Sequence, residues 1–224
     1  MEKHFSTDMP FLRFALNTLA ISCLGLFPLL LLYISLTPGF GSMLWNNGTA
    51  LSRFLRQVLT NGIPVVFTVN YVSFFLYAMH LESRNGAAAS VKILLIDLPA
   101  RVIIFVLLHG VIYFVSADWF GSFGGDHWQA LRVVGPTLVR SVFFENISGV
   151  YLYATMVSAL PLYTSAIERW FETASSPPRW ISRLIHKLPG NLAAIGLALA
   201  LFAIFALILT GAAAMIVKLQ STSL

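Results

Sequence analysis

An unbroken apolar run extends from Leu192 to Val217 and contains no charged residue. An α-helix needs roughly 20 apolar residues to cross the hydrocarbon core of a bilayer, so this run is long enough to span a membrane. A helix that is apolar on every side has no face to present to water. The run therefore predicts an integral membrane protein.

The composition of the whole chain agrees with a membrane bundle. Of its 224 residues, 58% are hydrophobic and 10% are charged, whereas soluble domains average about 45–50% apolar and about 25% charged residues. The length predicts one transmembrane domain over residues 1–224 and no separate soluble domain. The net charge of +5 lies beside apolar runs, which favours lipid headgroups over nucleic acid as the partner.

Four further apolar runs complete the predicted bundle. The five predicted spans are Phe14–Leu36, Ile63–Leu81, Pro99–Ala117, Ile147–Ile167 and Leu192–Val217. We therefore expect an all-α fold, a bundle of about five transmembrane helices with short amphipathic helices at the membrane interface.

Basic residues are unevenly distributed between the two predicted sides of the membrane. Nine Lys and Arg residues fall on the side of the N-terminus, and five fall on the other side. Because cytoplasmic segments carry the excess of Lys and Arg, the N-terminus is expected in the cytoplasm and the C-terminus outside. The expected location is a bacterial inner membrane.

Two parts of the chain share a pattern. Residues 40–42 and residues 120–122 both read Phe-Gly-Ser, and Ala-Leu follows eight residues after each serine. A tandem two-span repeat over residues 11–84 and 97–170, with residues 192–217 as an extra helix, accounts for the match. Short matches also arise by chance in apolar sequence. The pattern is therefore explained either by a duplication or by chance.

Polar residues recur at helical spacing in the second and fourth spans. Steps of three and four residues place each set on one face of its helix. The sets are Asn70, Ser73, Tyr77 and His80 in the second span and Ser148, Tyr151, Thr155 and Ser158 in the fourth. We expect hydrogen-bonding seams between helices, at about 0.6 kcal/mol for each bond. The alternative is that these faces line a water-filled path.

Three ionisable residues lie within or beside the third span. His109 is near its middle and is predicted as a buried, neutral histidine bonded to one of the polar stripes, with a proton relay as the alternative. Asp97 and Arg101 are four residues apart around Pro99, which permits an ion pair at the membrane edge. The simpler interpretation is that Asp97 caps the helix, Pro99 lies in its first turn and Arg101 extends to the headgroups.

The segment before the last span has the pattern of an amphipathic helix. Arg179, Arg183 and Lys187 recur every four residues on one face, and apolar residues that include Trp180 occupy the other. These residues are predicted to bind the anionic inner leaflet or to dock a cytoplasmic protein.

Small residues are frequent in the last span, where they allow helices to approach closely. Gly196 and Ala200 lie one helical turn apart. They are predicted as a packing face, either within the chain or between the subunits of a homo-oligomer.

The sequence contains no recognisable catalytic or cofactor motif. Its five histidines are scattered over the predicted depths, so no metal site, cofactor or catalytic residue is expected. We expect a non-enzymatic membrane subunit that oligomerises and anchors, senses or scaffolds for a cytoplasmic partner, as in envelope-stress or phage-defence assemblies. The alternatives are a channel or transporter component, with the stripes and His109 lining its path, and a small lipid-modifying enzyme.

Overall fold

The computed structural model describes residues 4–83, 87–120, 147–173 and 190–222, and every regular element in these ranges is helical. The helices are α1 (Phe11–Leu36), α2 (Phe40–Asn46), α3 (Gly48–Gln57), α4 (Ile63–Ser83), α5 (Ala87–Phe120), α6 (Ile147–Val157), α7 (Leu160–Thr173) and α8 (Gly190–Thr222). A π-helical turn, Val58–Gly62, joins α3 to α4. The all-α prediction is confirmed.

Four stretches are long and apolar enough to cross a membrane. They are Phe11–Leu36, Gly48–Met79, Ile147–Phe171 and Leu192–Ala212. These stretches contain the predicted first, second, fourth and fifth spans, or most of each. The total of about five stays a prediction, because α5, which contains the predicted third span, is not among the four.

Two observed helices differ from the predicted spans. α5 begins at Ala87, so Pro99 lies inside the helix and not in its first turn. The predicted fourth span is divided into α6 and α7, with the break at residues 158–159. The cause is Pro161, which has no N–H to continue the helical hydrogen bonds and whose ring crowds the preceding turn.

The divided helix lies at the centre of the bundle. α6 packs against α1 and α4, while α7 packs against α5 and α8. In the most apolar 18-residue segment of Ile147–Phe171, 72% is buried, compared with 17% in the corresponding segment of Leu192–Ala212. α8 therefore lies at the periphery of the described bundle.

Two glycines allow α6 to approach its neighbours closely. A Cβ atom on Gly25 in α1 would overlap Ser158 Oγ and would lie 3.0 Å from the carbonyl oxygen of Ala154. A Cβ atom on Gly62, in the π-helical turn, would lie 2.6 Å from the ring of Tyr151. These contacts require a residue without a side chain.

The N-terminal residues fold back onto one end of the bundle. Phe5 is buried and packs against Phe14 and Phe74, with ring centroids 5.2 and 4.5 Å apart. Asn17 Nδ2 donates a hydrogen bond of 2.9 Å to the carbonyl oxygen of His4. The segment before α1 is thus held against α1 and α4.

Candidate functional site

A buried arginine lies where α4, α5 and α6 meet. Arg101 is 0% exposed. A guanidinium stays charged at every pH that a protein experiences, so burial requires a counter-ion and hydrogen-bond acceptors. Its Nε donates to Asp97 Oδ2 at 2.7 Å, one turn earlier in α5. The spacing of four residues places both side chains on one face of the helix.

Two side chains of α4 contribute further acceptors. Arg101 Nη1 donates to Asn70 Oδ1, and Nη2 donates to Ser73 Oγ at 2.8 Å. The two acceptors share a face of α4 because they are three residues apart. The guanidinium carbon also lies 5.4 Å from the ring centre of Phe74, within the range of a cation–π contact.

The remaining acceptor is a backbone carbonyl at the end of α6. Arg101 Nη1 donates to the Thr155 carbonyl oxygen at 2.7 Å. In a regular α-helix the Ala159 N–H would donate to the Thr155 carbonyl oxygen. Here it donates to the Met156 carbonyl oxygen at 3.0 Å, so the Thr155 carbonyl is available to Arg101. The helix break thus supplies an acceptor for the arginine. Irregular backbone of this kind is tolerated in membrane bundles where protein surrounds it.

Hydrogen bonds connect the arginine indirectly to α1. Asn70 Nδ2 donates to Ser22 Oγ at 2.8 Å, and Ser22 Oγ donates to the Thr18 carbonyl oxygen at 2.7 Å. The Asn70 amide therefore uses its oxygen toward Arg101 and its nitrogen toward α1.

Asp97 has partners besides the arginine. Ser73 Oγ donates to Asp97 Oδ1 in a short hydrogen bond, and Tyr163 Oη, from α7, donates to Oδ2 at 3.4 Å. The carboxylate thus joins α4, α5 and α7. The Arg101 centre is the set formed by Ser22, Asn70, Ser73, Asp97, Arg101, Tyr163 and the Thr155 carbonyl.

The chemistry of the Arg101 centre is that of a hydrogen-bonded ion pair. One cation and one carboxylate balance each other, and their bonds hold five helices, α1 and α4–α7, in a single arrangement. The arginine cannot act as a proton carrier because it does not deprotonate in proteins. Among the residues that the structure describes, no group of three His, Cys, Asp or Glu side chains is placed to hold a metal ion.

The simpler interpretation of Asp97 and Arg101 is wrong. Asp97 does not cap α5, because the helix begins at Ala87. Arg101 does not extend to headgroups, because it is completely buried. The physical reason is that a counter-ion one turn away and acceptors on α4 and α6 satisfy the guanidinium inside the bundle. The ion pair that the spacing permits is formed.

The polar face of α4 points into the bundle. Asn70, Ser73 and Tyr77 are all buried, and the first two bond to side chains of other helices. The side chain of His80 lies outside the described residues. This face is therefore bonded to protein at Asn70 and Ser73.

The polar face of the predicted fourth span behaves differently. The hydroxyls of Thr155 and Ser158 donate within their own helix, to Leu152 and Ala154, at 2.7 and 2.6 Å. It is a backbone carbonyl that links this helix to Arg101. Tyr151 is buried, and its hydroxyl has no hydrogen-bond partner in the described part of the chain.

The fourth predicted member of that face is Ser148, which is half-buried near the start of α6. At Thr155 and Ser158 the seam predicted between side chains is replaced by bonding within the helix.

His109 lies two turns beyond Arg101 on α5. It is buried, and its Nδ1 is 2.9 Å from the carbonyl oxygen of Phe105 in the same helix. Its ring also lies 4.0 Å from the Phe105 ring, centre to centre. Nδ1 is therefore bonded within α5 and not to a polar stripe, which was the predicted partner.

The small residues of α8 divide between two faces. Ala194 and Ala198 are buried against the bundle, whereas Gly196 and Ala200 are exposed, and a Cβ atom on Gly196 would meet no atom within 4 Å. Gly196 therefore makes no close contact within the described bundle, and Ala200 is exposed one turn away.

Other predicted features lie outside the described residues. They are Arg179, Trp180, Arg183 and Lys187, and the second outer segment of the predicted repeat. The membrane-surface helix and the duplication accordingly stay predictions.

Sequence reasoning missed three contributors to the centre. Ser22 lies four residues after Thr18 in the first span, which places both on one face of the helix. Such helical spacing identified the polar faces of the second and fourth spans. Tyr163 had no such signal, because the break before Pro161 interrupts the register of the helix. The Thr155 carbonyl is a backbone group, and no side-chain pattern identifies it.

No protein-family model matches this chain, and no curated protein or solved structure is significantly similar to it.

Proposed function

We propose that this chain is a non-enzymatic membrane subunit that oligomerises and anchors, senses or scaffolds for a cytoplasmic partner. The observation that carries the proposal is that the polar groups of the Arg101 centre bond to one another and to other protein groups. A conducting path needs polar groups that face water, but Asn70, Ser73 and Asp97 bond to protein. Phe74 lies against the guanidinium, and Phe5 covers Phe74.

The proposal includes a topology of five spans in a bacterial inner membrane, with the N-terminus in the cytoplasm. Its support is the length of α5, which has 34 residues. At about 1.5 Å per residue such a helix exceeds the roughly 30 Å hydrocarbon core. The distribution of Lys and Arg supports the orientation.

Reporter fusions test this topology. A fusion after Leu224 and an insertion at Gly48 should report the extracytoplasmic side of the inner membrane, and an insertion at residues 84–86 should report the cytoplasm. A cytoplasmic signal after Leu224 would mean that one span fewer crosses the membrane.

The proposed assembly uses two surfaces. Gly196 and Ala200 are exposed on α8 and suit contact with a second copy of the chain, since small residues permit close helix packing. Arg179, Arg183 and Lys187 are proposed to hold the inner leaflet or the cytoplasmic partner, with about 1 kcal/mol for each cation near anionic lipid.

The test compares partner binding with transport. Affinity purification in mild detergent should recover the same cytoplasmic protein repeatedly. The triple alanine variant of Arg179, Arg183 and Lys187 should lose it, and the control Arg13→Ala should retain it. The purified chain in proteoliposomes should show no ion or proton flux above protein-free vesicles. A flux that His109→Gln abolishes would overturn the proposal.

One observation favours a second candidate, a channel or transporter component. Ionisable residues at bilayer depth and helices interrupted at mid-span both mark substrate paths in transporters, and here Asp97 and Arg101 lie beside the break before Pro161. Pro161→Ala restores an N–H at the break and should slow a transporter while the chain stays folded. A scaffold carrying the same change should keep its partner.

A further inference from the structure

An apolar groove of about 460 Å³ lies between the C-terminal half of α1 and the N-terminal half of α6. Its walls include Leu29, Leu32, Tyr33, Thr37, Val150 and Tyr153. The volume falls within the range of about 300–1,000 Å³ that small-molecule sites occupy. The groove is at the opposite end of α1 from the N-terminal segment and is separate from the Arg101 centre.

The lining offers little to a polar ligand. Of its three hydroxyl-bearing residues, Tyr33, Thr37 and Tyr153, the last bonds through its hydroxyl to Thr210 Oγ1 of α8 at 2.7 Å. Leu32 is 53% exposed at the groove and Leu36 is exposed beside it. In a helix that crosses a bilayer, such surface contacts acyl chains, so the groove suits a hydrocarbon tail.

Two arginines lie on the helix next to the groove. Aromatic contacts connect the groove to α3, because the Phe40 ring lies 5.5 Å from Tyr33 and 5.7 Å from Phe54. Arg53 and Arg56 are exposed on α3, on the side away from its apolar face. Of the carboxylates whose side chains the structure describes, none forms an ion pair with either arginine.

An exposed tryptophan marks the level of this end of the bundle. Trp45 in α2 is 88% exposed. Indole side chains favour the headgroup zone of a bilayer. α2 joins α1 to α3 in the chain, so Trp45 indicates that this end of the bundle lies at the headgroup level.

We propose that the groove and the arginines of α3 together bind one anionic phospholipid. An acyl chain occupies the groove, and the phosphate contacts Arg53 and Arg56. The positive charges favour an anionic headgroup over a zwitterionic one. The site is independent of whether the chain acts as a scaffold or a transporter, and it involves neither the Arg101 centre nor the predicted inner-leaflet helix.

Native mass spectrometry tests the proposal. The purified full chain is titrated in detergent with phosphatidylglycerol and, separately, with phosphatidylcholine of the same acyl chains. The parent should retain one phosphatidylglycerol in preference to phosphatidylcholine. Arg53→Ala with Arg56→Ala should weaken phosphatidylglycerol binding about thirtyfold, since each cation contributes about fivefold. The lysine pair Arg53→Lys with Arg56→Lys should retain most of it.

A second variant tests the tail. Leu32→Trp, at an exposed position in the groove wall, should reduce the binding of both lipids. The controls are Arg13→Ala and Leu207→Trp, which change an exposed arginine and an exposed leucine away from the groove, and both should bind as the parent does. All the substituted side chains are exposed, and thermal unfolding checks that each variant is folded.

Three results would each overturn the proposal. The first is equal binding of the two lipids by the parent. The second is a double alanine variant that binds phosphatidylglycerol as the parent does. The third is unchanged binding by Leu32→Trp. The first result needs no variant, so it decides the headgroup part even if a substitution impairs folding.

Discussion

The stretches Ile147–Phe171 and Leu192–Ala212 are both long and apolar enough to cross a membrane, yet they occupy opposite places in the bundle. The first is divided by a proline, carries hydroxyls and a backbone carbonyl that accepts from Arg101, and is 72% buried over its most apolar segment. The second is a continuous helix of mostly aliphatic residues and is only 17% buried. The more apolar helix is therefore the peripheral one.

This arrangement reverses the rule for soluble proteins, and the solvent explains the reversal. Lipid tails are as apolar as leucine, so an aliphatic helix gains little by moving to the interior of a bundle. A charged or hydrogen-bonding group gains more, because protein supplies the partners that lipid lacks. The burial of α6 and α7 thus follows from their polar contacts, whereas α8, which is mostly aliphatic, has less to gain from the interior.

The largest predicted effect is at the Arg101 centre. Arg101→Leu should lower the free energy of unfolding by about 3–5 kcal/mol, because it leaves the Asp97 carboxylate buried without its counter-ion. Denaturant titration in detergent micelles measures the change. The double variant Asp97→Leu with Arg101→Leu should lose less, since it leaves no unpaired charge. If Arg101→Leu is as stable as the exposed control Arg13→Leu, the centre does not hold the bundle together.

The next effect compares two glycines directly. Gly25→Ala should cost about 1–3 kcal/mol of unfolding free energy, because the new methyl overlaps Ser158 where α1 meets α6. Gly196→Ala on α8 meets no atom within 4 Å and should be neutral or stabilising by up to about 1 kcal/mol, since alanine favours helix. Equal responses at both positions would contradict the difference between centre and periphery.

A smaller effect is expected at His109. His109→Gln should lower the unfolding free energy by less than about 1 kcal/mol, because the imidazole Nδ1 bonds only to the carbonyl of its own helix and an amide can replace that bond. Thermal unfolding and a proton-flux assay in proteoliposomes on the same preparation provide the measurement. A proton flux of the parent that is lost in a variant of normal stability would identify His109 as a proton relay.

The smallest effect on unfolding is expected at the exposed face of α8. Gly196→Leu with Ala200→Leu should leave the stability of the single chain nearly unchanged, because both positions are exposed. The same variant should dissociate a homo-oligomer, because bulky side chains separate the helix backbones. Light scattering in mild detergent measures the assembly. If the parent is monomeric both in detergent and in native membrane extracts, the predicted homo-oligomer is wrong.

The apolar runs of the sequence predicted an all-helical chain, the four stretches that are long enough to cross a membrane and some of the helix limits. α4 begins at Ile63 and α1 ends at Leu36, as the apolar runs indicate. The spacing of Asp97 and Arg101 permitted their ion pair, although it was also compatible with a helix cap and a headgroup contact, which the structure does not have. These features are local: an apolar run long enough to cross a bilayer must satisfy its own backbone, and groups four residues apart share a helix face.

The tertiary structure alone decided what the polar residues do. The acceptors of Arg101 on α4 and α6 lie 31 and 54 residues away in the chain, and one of them is a carbonyl released by the break before Pro161. Which helix faces which depends on contacts such as Gly25 against α6. No pattern within one helix encodes these contacts, because they arise only when several helices pack together and each buried charge needs partners from its neighbours.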